Sequence, residues 1–174
     1  KKPLVSKNSF IANPVENDVF EVMGDWFYCA ILELTYLDGF IASQRWISKK
    51  IGISELQAKL ALDKLIKLGL LVEKNGKWTK TNKNLETSNK ALTTSALKRL
   101  QKQFLEKAID AIDQQAYEKR YSRGMTMAID PEKLELARDL INDFSHSLCD
   151  ILENNQSKNK EIYQLSINLF GLEK

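Results

Sequence analysis

Histidine is almost missing from this chain: His146 is the single one among 174 residues. No Cys-x-x-Cys, glycine-rich phosphate loop or convincingly spaced pair of acids makes up for it. General acid–base work, metal ligation and nucleotide binding each need one of those sets, so the sequence predicts a protein that is not an enzyme and holds no cofactor or metal. Ser6 and Ser43 have no neighbouring group to activate them as nucleophiles. Cysteine is scarce too, with Cys29 and Cys149 far apart inside helical patterns. That argues against a disulfide framework and for buried thiols in a reducing compartment, hence a cytoplasmic location. No uncharged apolar run reaches the roughly 18 residues of a membrane span, and no cleavable leader pattern is present, so no membrane partner is expected. The chain begins at Lys1 without a methionine and is open to being part of something longer.

What is present is an ordinary globular share of apolar residues, 43%, and an uneven distribution of charge. Residues 1–44 carry three basic and six acidic side chains, and residues 85–174 carry thirteen and fourteen. Residues 45–84 carry ten basic and only three acidic ones. One short segment is therefore a basic island in a neutral-to-acidic protein, the pattern a polyanion-binding module needs. The plainer alternative is a solvated lysine surface.

Residues 1–18, with Pro3 and Pro14, predict an irregular arm. Apolar residues at helical spacing predict a helix from Val19 to Leu37, ended by Asp38-Gly39. Ser43 is placed to cap a short helix over Gln44–Ile51, and Gly52 suits the left-handed position after it. Ser54 and Gln57 have the spacing of a capping box for a helix running to Leu68, with Ala58, Leu62 and Leu65 inward. Leu70–Lys74, Asn75-Gly76 and Lys77–Thr81 read as strand, two-residue turn and return strand. Helix, helix-turn-helix and hairpin in that order make a winged helix-turn-helix, assigned to 19–84. A linker follows at 85–94 and a C-terminal α/β domain at 95–174. In that domain the spacing predicts a helix over Ser95–Gln115, a strand over Tyr121–Ile129, a helix capped by Asp130-Pro131 and running to Asn154, and a strand over Ile162–Phe170. The fold class expected is mainly α (α+β), a winged helix-turn-helix followed by helix-strand-helix-strand.

Several short motifs then carry a resemblance. They are Asp25-Trp26-Phe27-Tyr28, Trp46-Ile47, Gly52-Ile53-Ser54 with Leu65 and Leu68-Gly69-Leu70-Leu71, Gly76-Lys77-Trp78, Arg120-Tyr121-Ser122 with Thr126, and Ile162-Tyr163-Gln164-Leu165 with Leu169-Phe170. In combination they resemble a family of bacterial domains of unknown function in which a winged helix precedes a small α/β tail. The likeness runs from about residue 25 onward; Gly171 stands where that family usually has proline. It implies the fold and a regulatory role, and no activity or catalytic residue.

In a winged helix that binds double-stranded DNA, the helix from Ser54 to Leu68 enters the major groove. Ser54, Gln57, Lys59, Lys64 and Lys67 are then the candidate contacts on it, with Gln57 toward an adenine edge and Lys59 toward guanine or phosphate. Lys74, Lys77 and Lys80 on the wing are positioning contacts to phosphate. Leu56 and Leu60, one turn apart on the same outward face with Asp63 beyond, favour the rival reading of a winged helix that binds a protein partner. In the tail, Arg120, Ser122 and Arg123 either hold an anionic effector or pair with acids such as Glu118. Two strands are too few for a self-sufficient sheet, so they join strands elsewhere in the chain or pair across the axis of a homodimer, with the long helix as a second dimer surface.

Overall fold

A computed structural model of the protein describes residues 24–75, 77–81, 94–153 and 159–173. Within them the chain forms five α-helices and one two-stranded antiparallel sheet: α1 (Trp26–Leu34), α2 (Gln44–Ile51), α3 (Glu55–Lys67), β1 (Leu71–Lys74), β2 (Lys77–Lys80), α4 (Thr94–Gln114) and α5 (Leu134–Leu152). It is a mainly α protein with a small β component. The arm at 1–18 and most of the linker at 85–94 lie outside the described residues.

Helix α1 corrects the expected start at Val19. Residues 19–23 are outside the described range, and Gly24 and Asp25 form a turn and bend, so the helix begins at Trp26. Its N-terminus is satisfied from a distance. Gln103 on α4 accepts the Trp26 N–H through Oε1 at 3.0 Å and donates from Nε2 to Asp25 Oδ1 at 2.9 Å. Arg99 completes the junction, 3.2 Å from the Asp25 carboxylate and donating to the Gly24 carbonyl at 3.1 Å. The helix also stops at Leu34, short of Leu37, where the N–H groups of Thr35, Tyr36 and Leu37 turn to carbonyls three residues back and Gly39 at φ +80° reverses the chain.

Local signals fix α2 and α3. Ser43 caps α2 by accepting the Trp46 N–H, and Gly52 ends it at φ +73°, a conformation glycine adopts without a Cβ penalty. Ser48 Oγ donates to the Ile53 carbonyl at 2.6 Å across the turn between the helices. The capping box is formed on α3, with Ser54 Oγ accepting the Gln57 N–H and Gln57 Oε1 accepting the Ser54 N–H, both at 3.0 Å. Ala58, Leu62 and Leu65 are buried, and Ala61 joins them. They pack with Ile31, Leu34, Ile47 and Leu71 in one core. Each fully buried Leu or Ile there contributes on the order of 1.5–3 kcal/mol.

The hairpin pairs Leu71 with Lys80 and Lys74 with Lys77. Asn75 takes φ +55°, as the first residue of an Asn-Gly turn should. Trp78 lies half-buried against the core, and the Thr81 N–H closes the base of the hairpin on the Leu70 carbonyl at 3.0 Å.

Helix α4 buries side chains in its first half only. Ala96 and Leu100 are buried, whereas Leu105, Ile109 and Ile112 farther along are exposed. After a 3-10 turn at Tyr117–Lys119 the stretch Tyr121–Ile129 runs without helix, turn or bend and is unpaired. Asp130 caps a second 3-10 turn, Pro131–Lys133, by accepting the Glu132 N–H at 3.1 Å, and α5 follows with no buried residue. Ile162–Phe170 likewise runs without helix, turn or bend and is unpaired. Neither stretch is a strand among the described residues, which corrects that part of the expected tail: alternation marks a segment that can enter a sheet, and no described neighbour supplies the ladder. The last segment reaches back to the N-terminal unit, where the Asp38 N–H donates to the Asn159 carbonyl at 2.8 Å and Ile162 packs on the core. No helix among the described residues is long and apolar enough to cross a membrane.

Candidate nucleic-acid interface

The candidate contacts lie on two consecutive elements, α3 and the hairpin, which Leu68-Gly69-Leu70 joins directly. Burial of Ala58, Ala61, Leu62 and Leu65 turns the opposite side of α3 outward, so Leu56, Lys59, Leu60, Asp63 and Lys67 are exposed while Lys64 is half-buried. Lys64 and Lys67 occupy the last turn, where a cation also complements the helix dipole. On the hairpin, Lys74 and Lys77 are register partners beside the turn and both are exposed. Neither has an ion-pair partner among the described residues, so two unneutralised ammonium groups stand side by side at the tip.

Three of the candidates are otherwise engaged. Ser54 and Gln57 spend side-chain oxygens on the capping box. Lys80 faces inward with Trp78: its Nζ lies 2.8 Å from Glu33 Oε1 and 5.7 Å from the centre of the Tyr36 ring. Burial by itself would lower the Lys80 pKa, but the Glu33 hydrogen bond and the charges of Glu33, Tyr36 and Glu153 outweigh it and raise the value. Of the expected contacts, Lys59, Lys64, Lys67, Lys74 and Lys77 remain as surface cations.

Sequence reasoning passed over a second basic element. Arg45, Lys49 and Lys50 on α2 are exposed, Arg45 lying 4.0 Å from Glu55. Their signal was already visible in the charge count over 45–84. It also missed an acidic border. An open cleft of about 590 Å³ at the α2–α3 turn is lined by Gly52, Ile53 and Gln57 on one side and by Glu106, Lys107 and Asp110 of α4 on the other, with Lys107 Nζ 3.8 Å from the Asp110 carboxylate. In the tail, Arg120 donates to the Gln115 carbonyl at 3.2 Å and lies 5.9 Å from the Tyr117 ring centre.

Glu33 and Lys80 also frame Cys29, whose thiol burial pushes up to about 11, with Glu33 adding to the rise and Lys80 opposing it. A pKa two units above the ordinary 9.0 leaves about a hundredth of the thiolate, partly offset by its higher nucleophilicity. Alkylation of Cys29 in the folded protein should therefore run about tenfold slower than in the urea-unfolded chain. Exposed Cys149 serves as the internal control, and mass spectrometry of a timed iodoacetamide reaction reads both sites; equal Cys29 rates in the two states would refute the burial argument.

No curated protein and no solved structure matches the chain. Residues 6–172 match the sequence profile of a family described as a domain of unknown function, DUF4423, reaching farther toward the N-terminus than the motifs that first suggested such a family, and the chain belongs to that family.

Proposed function

We propose that this protein is a winged helix-turn-helix transcription regulator that binds double-stranded DNA, with α3 as the recognition helix and the β1–β2 hairpin as the wing. The observation that carries the reading is the pair of unneutralised lysines, Lys74 and Lys77, at the hairpin tip, continuous in sequence with Lys59, Lys64 and Lys67 on α3. Five lysine–phosphate contacts give a salt dependence of log K on log salt near −4.5, so affinity falls about 500-fold between 50 and 200 mM salt. Fluorescence anisotropy with a labelled 30-base-pair duplex at those two concentrations tests this. Absence of binding at 50 mM salt, or affinity indifferent to salt, ends the proposal.

A second reading rests on its own observation. Leu56 and Leu60 are 65% and 56% exposed, one turn apart in the middle of the outward face of α3. Recognition helices generally carry polar groups there, and an apolar pair of this kind suits a protein groove. Under that reading, Leu56→Asp abolishes capture of the partner, while the Lys74 and Lys77 reversals leave it unchanged.

A further inference from the structure

We infer that the C-terminal region is half of a shared β-sheet: the segments Tyr121–Ile129 and Ile162–Phe170 pair with those of a second copy of this chain, and the exposed faces of α4 and α5 cover the sheet. This stands apart from the nucleic-acid reading, because it rests on residues that reading does not use.

The main chain supplies the first argument. Among the described residues, 121–129 and 160–173 take part in no backbone-to-backbone hydrogen bond, although both run without helix, turn or bend. Their known meeting point is at their entrances, where Lys119 Nζ lies 3.0 Å from Glu161 Oε1. Side-chain order supplies the second. Tyr163, Leu165, Ile167 and Leu169 alternate with Gln164, Ser166 and Asn168, and Met125, Met127 and Ile129 alternate with Gly124, Thr126 and Ala128. Each segment has one apolar face and one small or polar face, the signature of a sheet covered on one side. Soluble proteins guard an open edge with charge, proline or a bulge. Here neither charge nor proline occurs from Gly124 to Ile129 or from Ile162 to Leu172. An unguarded edge of that length is a template for pairing.

Area identifies the occupant as another copy. Nineteen large apolar side chains between Leu105 and Leu172 are exposed, against five in the N-terminal unit. At roughly 100 Å² each, covering half of them buries more than the ~800 Å² per partner of a stable interface. The remaining segments of this chain hold fewer large apolar residues than those nineteen. Residues 82–93 hold two large apolar residues, Leu85 and Leu92; residues 154–158 hold none; residues 1–23 hold nine, interrupted by Pro3 and Pro14. A second copy brings the same unpaired edges and apolar faces. Under a two-fold axis perpendicular to the sheet, a segment meets its own copy antiparallel, and two strands per copy give four, more than the three or so that an independent sheet requires.

Sedimentation equilibrium of the full chain from 1 to 100 µM tests this. The expected mass is twice 19.9 kDa. Leu165→Asp with Ile167→Asp, and separately Asn168→Pro, should each halve it, the first by charging the covered face and the second by removing a ladder N–H. Asn168→Val, which keeps that N–H, should remain dimeric. Because Trp26, Trp46 and Trp78 all lie in the N-terminal unit, unchanged tryptophan emission in the monomeric variants separates lost pairing from general unfolding. A wild-type mass of 19.9 kDa at 100 µM, which would mean the chain covers its own edges, overturns the inference. So does a dimer that survives both disruptive variants.

Discussion

Replacing Lys74 and Lys77 together by glutamate is expected to weaken duplex binding about a hundredfold at 100 mM salt and to flatten the salt dependence by nearly two units. The magnitude follows from counterion release. Each lost phosphate contact removes about 0.9 from the slope, which at 0.1 M salt is close to a factor of eight in affinity, and reversal adds repulsion to the loss. The side chains are exposed and lie opposite one another beside the turn, so stability should change by less than about 0.5 kcal/mol. Lys80→Gln provides the contrast. Its partner Glu33 would remain with a half-buried carboxylate facing no cation, so the variant should lose on the order of 1 kcal/mol of stability, modest because both side chains are partly solvated, while duplex affinity hardly moves. Anisotropy titrations and thermal melts on the two variants read the two quantities separately. Were Lys80→Gln to weaken binding as strongly as the double reversal, the inward placement of Lys80 would be wrong as an account of its role.

The other large effect lies in the core. Leu65→Ala should cost about 2–5 kcal/mol, because the side chain is fully buried among α1, α2 and the hairpin base and its removal leaves a cavity the helices cannot close. For a unit of some sixty residues, each kcal/mol displaces the melting midpoint by about 4–8 °C, so a fall of ten degrees or more is expected in the melt followed by tryptophan emission. Leu56→Ala, on the same helix but 65% exposed, should change stability by no more than about 0.5 kcal/mol. Similar losses from the two would mean that α3 presents a different face to the core.

What was legible in the sequence is what is decided within a few residues. Ser43, Gly52, the Ser54 and Gln57 pair and Asn75-Gly76 set boundaries to within a residue or two, because caps and turns act on the nearest N–H and carbonyl groups. The beginning of α1 was not legible in that way, since the acceptor for the Trp26 N–H comes from Gln103, on another helix. Lys80 was placed on the wing by its charge, and only the strand's alternation together with Glu33 on α1 turns it inward. The basic character of the surface was readable from residue type; which cations are neutralised depends on acids brought near by the fold. Gln57 shows the same limit from another side, because one side chain was assigned both to a cap and to a base edge and its carbonyl oxygen is already taken. In the tail, period-two patterning identified segments able to enter a sheet, while the absence of a ladder partner among the described residues became visible only in three dimensions.

Arg99, Gln103 and Lys107 recur every fourth residue, one stripe of α4 gripping Gly24, Asp25 and the Trp26 ring. A bare helix start held by another helix behaves as a splined joint: turning the shaft turns what it carries. At 1.5 Å per residue the 21-residue shaft is about 31 Å long, and the three teeth of the joint lie within the stretch from 99 to 107.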